Sequence, residues 1–272
     1  MKLQKKISVF RGFALLLSIL SASLCFGGCS YTVERDHSTD GTLPVFNDQT
    51  DTQQQADTRP RVAITFDDGP HVTRTKAIVD ELNKYGYHAT FFVVGNRVDG
   101  TEYNGGEAMK YALDAGNEIA IHGYTHTIYY DECSKEEFED ELNLTYNAIQ
   151  SVCPNTPIKL MRPIGGSIND ANADASPYAI ITWDVDSEDW MYKYKKGDTD
   201  EMCADKVNTI VENVLSTVSD GSIILLHDIH ESSYDATVII LKQLYEMGYN
   251  VVTVSELLGD AQPGTIYTNG RS

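Results

Sequence analysis

Asp67 and Asp68 are adjacent carboxylates that close an apolar run and open onto Gly69-Pro70. Neighbours in a straight strand face opposite ways, but a turn at Gly-Pro can bring both to one side. One carboxylate can then hold a cation while the other stays free to accept a proton. His122 and His126 stand at i and i+4, close enough to share a metal on one helical turn. Two neutral imidazoles and a carboxylate form a three-ligand set suited to catalytic Zn²⁺, leaving a position for a water whose pKa falls to about 7. Arg162 precedes Pro163, Asp186 and Asp189 lead into Trp190, and His227-Asp228 follows Leu225-Leu226. A histidine at a strand end beside a buried carboxylate is a general acid held as imidazolium. Taken singly, each group also has an ordinary reading: a surface Asp-Gly turn, capping or core histidines, a solvated acidic loop, a core tryptophan.

The pattern around these residues supplies elements to position them. Short apolar runs rich in β-branched and aromatic residues stand at 62–66, 89–94, 118–121, 158–161, 179–183, 222–226 and 250–254. They read as buried parallel strands. Helical patterns fall between them, near 73–85, 106–115, 135–152, 204–218 and 234–247. This alternation predicts an α/β fold, a distorted (β/α) barrel of seven parallel strands with outer helices. Segment 164–178 reads as a loop where a helix would be expected. In a barrel, chemistry gathers at the C-terminal ends of the strands. The carboxylate pair follows the first strand, the histidine pair the third, Arg162 the fourth, Asp186 and Asp189 the fifth, and His227 the sixth. All the candidate groups fall on one rim.

The 272 residues, 42% hydrophobic, suit one large domain or two small ones. Basic residues number 21 against 40 acidic, a net charge of −19. That argues against nucleic acid, whose phosphates need clustered Lys and Arg, and against adhesion to anionic lipid by charge alone. Residues 1–11 carry Lys2, Lys5, Lys6 and Arg11 and no acid, and an apolar run at 12–26 leads to Gly27-Gly28-Cys29. A basic start, a short apolar stretch and small residues make a bacterial export signal. The run falls short of the ~20 residues a spanning helix needs. FGGC resembles the lipobox of bacterial lipoproteins, in which Cys29 would become the diacylated first residue. On this reading 1–28 is a signal peptide, 29–60 a lipidated Cys and flexible polar linker, 61–259 the domain bearing the chemistry, and 260–272 a C-terminal tail. Cys133, Cys153 and Cys203 are then left, an odd number without a CxxC. This supports neither a disulfide framework nor a thiolate metal site; one bridge is allowed outside the cell, and the sequence does not choose its pair.

In order, TFDDGP, HxxxH, the Arg-Pro loop, DxxDW and LLHD resemble the five motifs of the polysaccharide deacetylases, carbohydrate esterase family 4 with its NodB-type domain, over 62–258. HDI and the closing VVTVSELL make the chain most similar to the peptidoglycan N-acetylglucosamine deacetylases of Gram-positive bacteria. The resemblance implies Asp67 as general base and Asp68, His122 and His126 as ligands of one divalent metal, Zn²⁺ first, with Co²⁺ or Ni²⁺ also compatible. It implies that Arg162 pairs with Asp67 and keeps it ionised, and that His227 protonates the leaving amine with Asp189 tuning it. Gly165 would donate its N–H to the oxyanion, while Trp190 and Leu225 shape the pocket around sugar and acetyl methyl. Two positions depart from the family. Gly123 stands where the second motif usually has Ser or Thr, so a loop hydrogen bond is expected to be lost. Arg162-Pro163-Ile164-Gly165-Gly166 lacks the usual Tyr of the Arg motif, which alters the groove wall. The expected activity is deacetylation of N-acetylglucosamine in peptidoglycan by a lipid-anchored monomer on the outer face of the bacterial membrane. Alternatives are N-acetylmuramic acid, chitin oligomers or acetylated xylan as substrate, another amide, or a non-catalytic wall-binding lipoprotein.

Overall fold

The computed structural model describes residues 57–100 and 104–271. The leader, Cys29 and nearly all of the expected linker lie outside them. Among the described residues the chain runs β1 (Arg61–Asp67), α1 (Arg74–Asn83), β2 (Thr90–Val93), α2 (Gly95–Val98), α3 (Gly106–Asp114), β3 (Glu118–Ile121), α4 (Lys135–Val152) and β4 (Leu160–Met161). It continues through a 3₁₀ turn (Ile164–Gly166), α5 (Asp170–Ala175), β5 (Ala179–Ile181), β6 (Val185–Asp186), α6 (Asp200–Leu215), β7 (Ile223–His227), α7 (Glu231–Glu246), β8 (Asn250–Val251), α8 (Val254–Leu258) and β9 (Ile266–Tyr267).

The named strands pair in parallel in the order β6-β7-β1-β2-β3-β4-β5-β9, with β8 added beside β1. The sheet curls into a half-barrel with helices outside. Along β1, Val62, Ile64 and Phe66 pack outward onto the core shared with the helices, where Ile78, Val79 and Leu82 of α1 also lie. Ala63 faces inward, with Phe92, Ala120, Leu160, Ile181 and Ile223, onto a smaller core that Val254 and Leu257 of α8 help fill. Strands buried on both faces explain why the sequence shows continuous apolar runs rather than alternation.

The seven expected strands are present, and two more join them. β6 and β9 have only two residues each and, unlike the equally short β4 and β8, lie within no longer apolar run that would mark them. Asp186 therefore ends a strand of its own, paired with β7, rather than following β5. Segment 164–178 is not wholly loop: Asn169 accepts a hydrogen bond from the Asn172 N–H and starts α5. The stretch expected as a tail returns to the sheet, where β9 pairs with β5. Cys133, Cys153 and Cys203 are all free thiols. None of the described helices is long and apolar enough to cross a membrane.

Candidate active site

Period-two alternation decides which residues reach the barrel interior. Ala63, Thr65 and Asp67 share one parity on β1; Ala120 and His122 share it on and just beyond β3, Leu160 and Arg162 at β4, and Ile223, Leu225 and His227 on β7. The register then aligns them in a row: Asp67 is opposite His227, and Ile121, just before His122, is opposite Met161, just before Arg162. Asp68 has the wrong parity, and its own backbone corrects this with a left-handed φ of 71°. The turn thus begins at Asp68 rather than at Gly-Pro. Gly69 is needed for a different reason: a Cβ there would lie 2.3 Å from Oδ1 of the buried Asp228. His126 is also left-handed, with φ 59°. Such non-glycine conformations cost about 1–3 kcal/mol each and persist where surrounding structure enforces them.

Asp68, His122 and His126 offer three ligand atoms within 4.8 Å of one another. Nδ1 of His122 donates to the Arg162 carbonyl at 3.0 Å, so in the neutral ring Nε2 carries the lone pair. That atom lies 3.5 Å from Oδ1 of Asp68, and Nε2 of His126 lies 2.8 Å from the same oxygen. Oδ1 is buried and makes no hydrogen bond. A lone pair aimed at a carboxylate oxygen repels it unless a proton or a cation stands between them. The trio therefore fits a divalent cation. Burial opposes charge on His122, but Asp67 and Asp68 outweigh it and raise its proton affinity, the same field that would draw in a metal. Burial likewise opposes the charge on Asp68, yet the two histidines hold its carboxyl well below the usual range.

Behind the trio, Arg162 is fully buried. Its Nη1 donates to Oδ1 of Asp67 at 2.8 Å and to Oγ1 of Thr65 at 2.7 Å. Nε and Nη2 donate to the carbonyls of Ile181 and Thr182, both at 3.1 Å, and the guanidinium lies 4.1 Å from the centre of the Phe92 ring. The second oxygen of Asp67 is left facing the trio, 3.6 Å from Nε2 of His122.

His227 donates from Nδ1 to Asp189 at 2.7 Å, and the same carboxylate accepts from the His227 N–H at 2.8 Å and from Oγ of Ser233 at 2.5 Å. Burial alone would lower the proton affinity of His227; the charge of Asp189 reverses that and pushes its pKa up to about 9. Burial also opposes the charge of Asp189, but His227 and Ser233 hold it below the ordinary carboxylate range. Glu188, the residue before Asp189, is left-handed with φ 54°. Asp189 is buried and Trp190 is half exposed.

These groups open onto one cleft of about 440 Å³, lined by Asp67, the trio and His227, and by Gly165, Trp190 and Leu225. Arg162 and Asp189 stand behind its wall. A hollow of similar volume, about 410 Å³, opens at the other end of β1, but its arginines are already engaged, Arg59 with Asp57 and Arg271 with Asp184.

Three features of the site escape sequence reasoning. Glu141 of α4 is buried and accepts from the N–H groups of Tyr124 and Thr125 at 2.6 and 3.0 Å and from the Thr125 hydroxyl at 2.9 Å. It holds the loop between the two histidines, so the absence of Ser or Thr at position 123 leaves that loop well bonded. Gly123 is itself required here: its φ is 90°, and a Cβ would meet the Tyr130 hydroxyl at 2.8 Å. Trp183 and Tyr129 also line the cleft, and neither belongs to a recognisable motif. The i,i+3 reach from Ser134 to Glu137 that caps α4 is visible in sequence, but nothing there marks Glu141 as the loop's anchor.

The sequence profile of the polysaccharide deacetylase family matches residues 54–179. The chain is 39% identical to the peptidoglycan-N-acetylmuramic acid deacetylase PdaC of Bacillus subtilis, over 72% of this chain and 38% of PdaC. It therefore spans well under half the length of that relative. It is 35% identical to a peptidoglycan-N-acetylglucosamine deacetylase of Bacillus cereus, over 61% of this chain and 72% of the relative. The solved structure of PdaC superposes with a TM-score of 0.64 at 36% identity, covering 73% of this chain and 90% of that one. A family 4 acetyl xylan esterase from Clostridium thermocellum, solved with a cobalt ion, gives a TM-score of 0.66 at 27% identity, covering 77% of this chain and 98% of that one.

Proposed function

The chain belongs to the polysaccharide deacetylase family, and from that premise we propose that it hydrolyses the acetamide of N-acetylated bacterial cell-wall glycan. The observation that carries this reading is the arrangement in one cleft of a cation-ready trio, a carboxylate gripped by a buried arginine, and an imidazolium donor.

A divalent cation, Zn²⁺ by preference, held by Asp68, His122 and His126 would polarise the acetamide carbonyl and acidify a water beside it. Asp67 takes the proton of the attacking water. Its free oxygen faces the trio while Arg162 fixes the other one. The N–H of Gly165, on the cleft wall, donates to the oxyanion that develops. His227 gives its Nε2 proton to the departing amine, while Asp189, bonded to the Nδ1 proton, keeps the ring an imidazolium until then. An acid and a base so placed each supply about 10²–10⁴-fold. Acetate leaves, and the glycan keeps a glucosamine unit with a free amine.

We favour N-acetylglucosamine as the sugar. The relatives named above act on N-acetylmuramic acid in one case and N-acetylglucosamine in the other, so both belong in the test. Export and lipidation at Cys29 are part of the proposal. They are supported by the basic residues 1–11, the apolar run 12–26 and Gly27-Gly28-Cys29, and would hold a monomer at the outer face of the membrane, where peptidoglycan is the nearest N-acetylated polymer. Digestion of purified peptidoglycan after treatment with the metal-loaded protein tests the substrate. Muropeptides lacking an acetyl on glucosamine support the proposal; loss on muramic acid reassigns the sugar; intact muropeptides reject a wall substrate.

A further inference from the structure

Tyr129 has no place in the chemistry above, yet its ring lines the same cleft. It is 51% exposed, while its backbone is pinned: its carbonyl accepts from the N–H groups of Glu132 at 3.2 Å and Cys133 at 3.0 Å. The next residue, Tyr130, is fully buried, packs edge-on to Phe138 at 4.9 Å and bridges to Ile168. The ring of Tyr129 is therefore presented to solvent from a rigid base. It also covers Gly165, where a Cβ would lie 3.6 Å from Cε1 and 3.9 Å from Cδ1 of the ring. The glycine that faces the reacting centre brings no side chain of its own, and Tyr129 makes that part of the wall. Trp190, half exposed, stands on the other flank, carried by the β6 side of the sheet, whereas Tyr129 follows β3 on the opposite side of β1.

We propose that Tyr129 is a substrate-binding residue whose ring stacks on the C–H face of a pyranose and sets its N-acetyl group against the Gly165 N–H. The inference rests on the glycan deacetylase reading. A pyranose presents an apolar face of C–H groups, and the negative face of an aromatic ring complements it. A tyrosine already held by its backbone gives up little conformational freedom on binding. The hydroxyl is not needed for stacking; the ring is.

The test uses the full chain loaded with zinc, the tetramer of N-acetylglucosamine as substrate, and the variants Tyr129→Ala and Tyr129→Phe. Tyr129→Ala should raise KM about tenfold, which is about 1.4 kcal/mol, and leave kcat within about twofold; Tyr129→Phe should retain both values. In an Asp67→Asn background, where turnover is removed, Tyr129→Ala should weaken tetramer binding by the same factor, read by calorimetry. An unchanged KM in Tyr129→Ala, with the parent active, overturns the assignment and leaves the deacetylase reading intact. So does a fall in kcat accompanied by weaker zinc binding, which would make Tyr129 a support for the histidine loop. A parent protein that neither releases acetate from the tetramer nor binds it overturns the Tyr129 assignment, and overturns the deacetylase reading as well if muropeptides also keep their acetyl groups.

Discussion

A proton donor and a proton acceptor cooperate only when the donor is still charged at the working pH. Asp189 raises the pKa of His227 to about 9 against the ordinary value of 6.5. A rate that depends on the imidazolium should hold through neutral pH and fall on the alkaline side with a midpoint near 9. Asp189→Asn keeps the shape and removes the charge, so that limb should move down towards the ordinary histidine range near 6.5. A pH profile of kcat/KM for both proteins reads the shift directly; coincident alkaline limbs would remove Asp189 from this role. The same coupling has a stability side. A histidine whose folded pKa is raised contributes stability that is complete below its unfolded pKa and is lost as pH rises through about 9. The chemical types in the cleft were legible in sequence, because only a few side chains can ligate a metal or move a proton. Their backbone states were not. Nothing in the letters marks Asp68 and His126 as left-handed, a condition imposed by the elements around them.

Those elements carry the site by position and by support. The helical pattern near 135–152 coincides with α4, because such a pattern is written locally, and the structure adds the Ser134–Glu137 capping box at its start. α2, β6 and β9 leave no signal because two to four residues show no period and no longer apolar run surrounds them, as 158–161 and 250–254 surround the equally short β4 and β8. What α4 does for the site is also non-local: Glu141 reaches back to bond the backbone of Tyr124 and Thr125. Glu141→Ala should leave those N–H groups unmatched and loosen the spacing of His122 and His126. Zinc affinity should drop about 10–100-fold, measured by competition with a chelating dye, while activity at saturating zinc recovers in large part. Unchanged affinity would mean the loop holds its own shape. Gln at the same position keeps acceptor oxygen and should lose less.

At the scale of the molecule, a half-barrel has an exposed edge unless something covers it, and the final residues do so. β9 pairs with β5, and Arg271 reaches Asp184 and the Ser219 hydroxyl. Deleting 260–272 should uncover β5 and cost about 2 kcal/mol, lowering Tm by roughly 4–8 °C for a domain of this size; an unchanged Tm would make the segment a passenger. The apolar runs foretold the parallel sheet and its outer helices, whereas the return of the last residues depends on a pairing far away in sequence. Metal-dependent release of acetate is the step on which the proposed chemistry of the cleft depends. The most direct measurement follows acetate from chitooligosaccharides and muropeptides with the 30–272 chain, before and after a chelator, then with zinc restored, alongside Asp67→Asn. The prediction is release that stops with chelator, returns with zinc, and falls at least 100-fold in Asp67→Asn at unchanged metal content. No acetate from either glycan with zinc bound stoichiometrically, or an Asp67→Asn rate above about a tenth of the parent's, would contradict it.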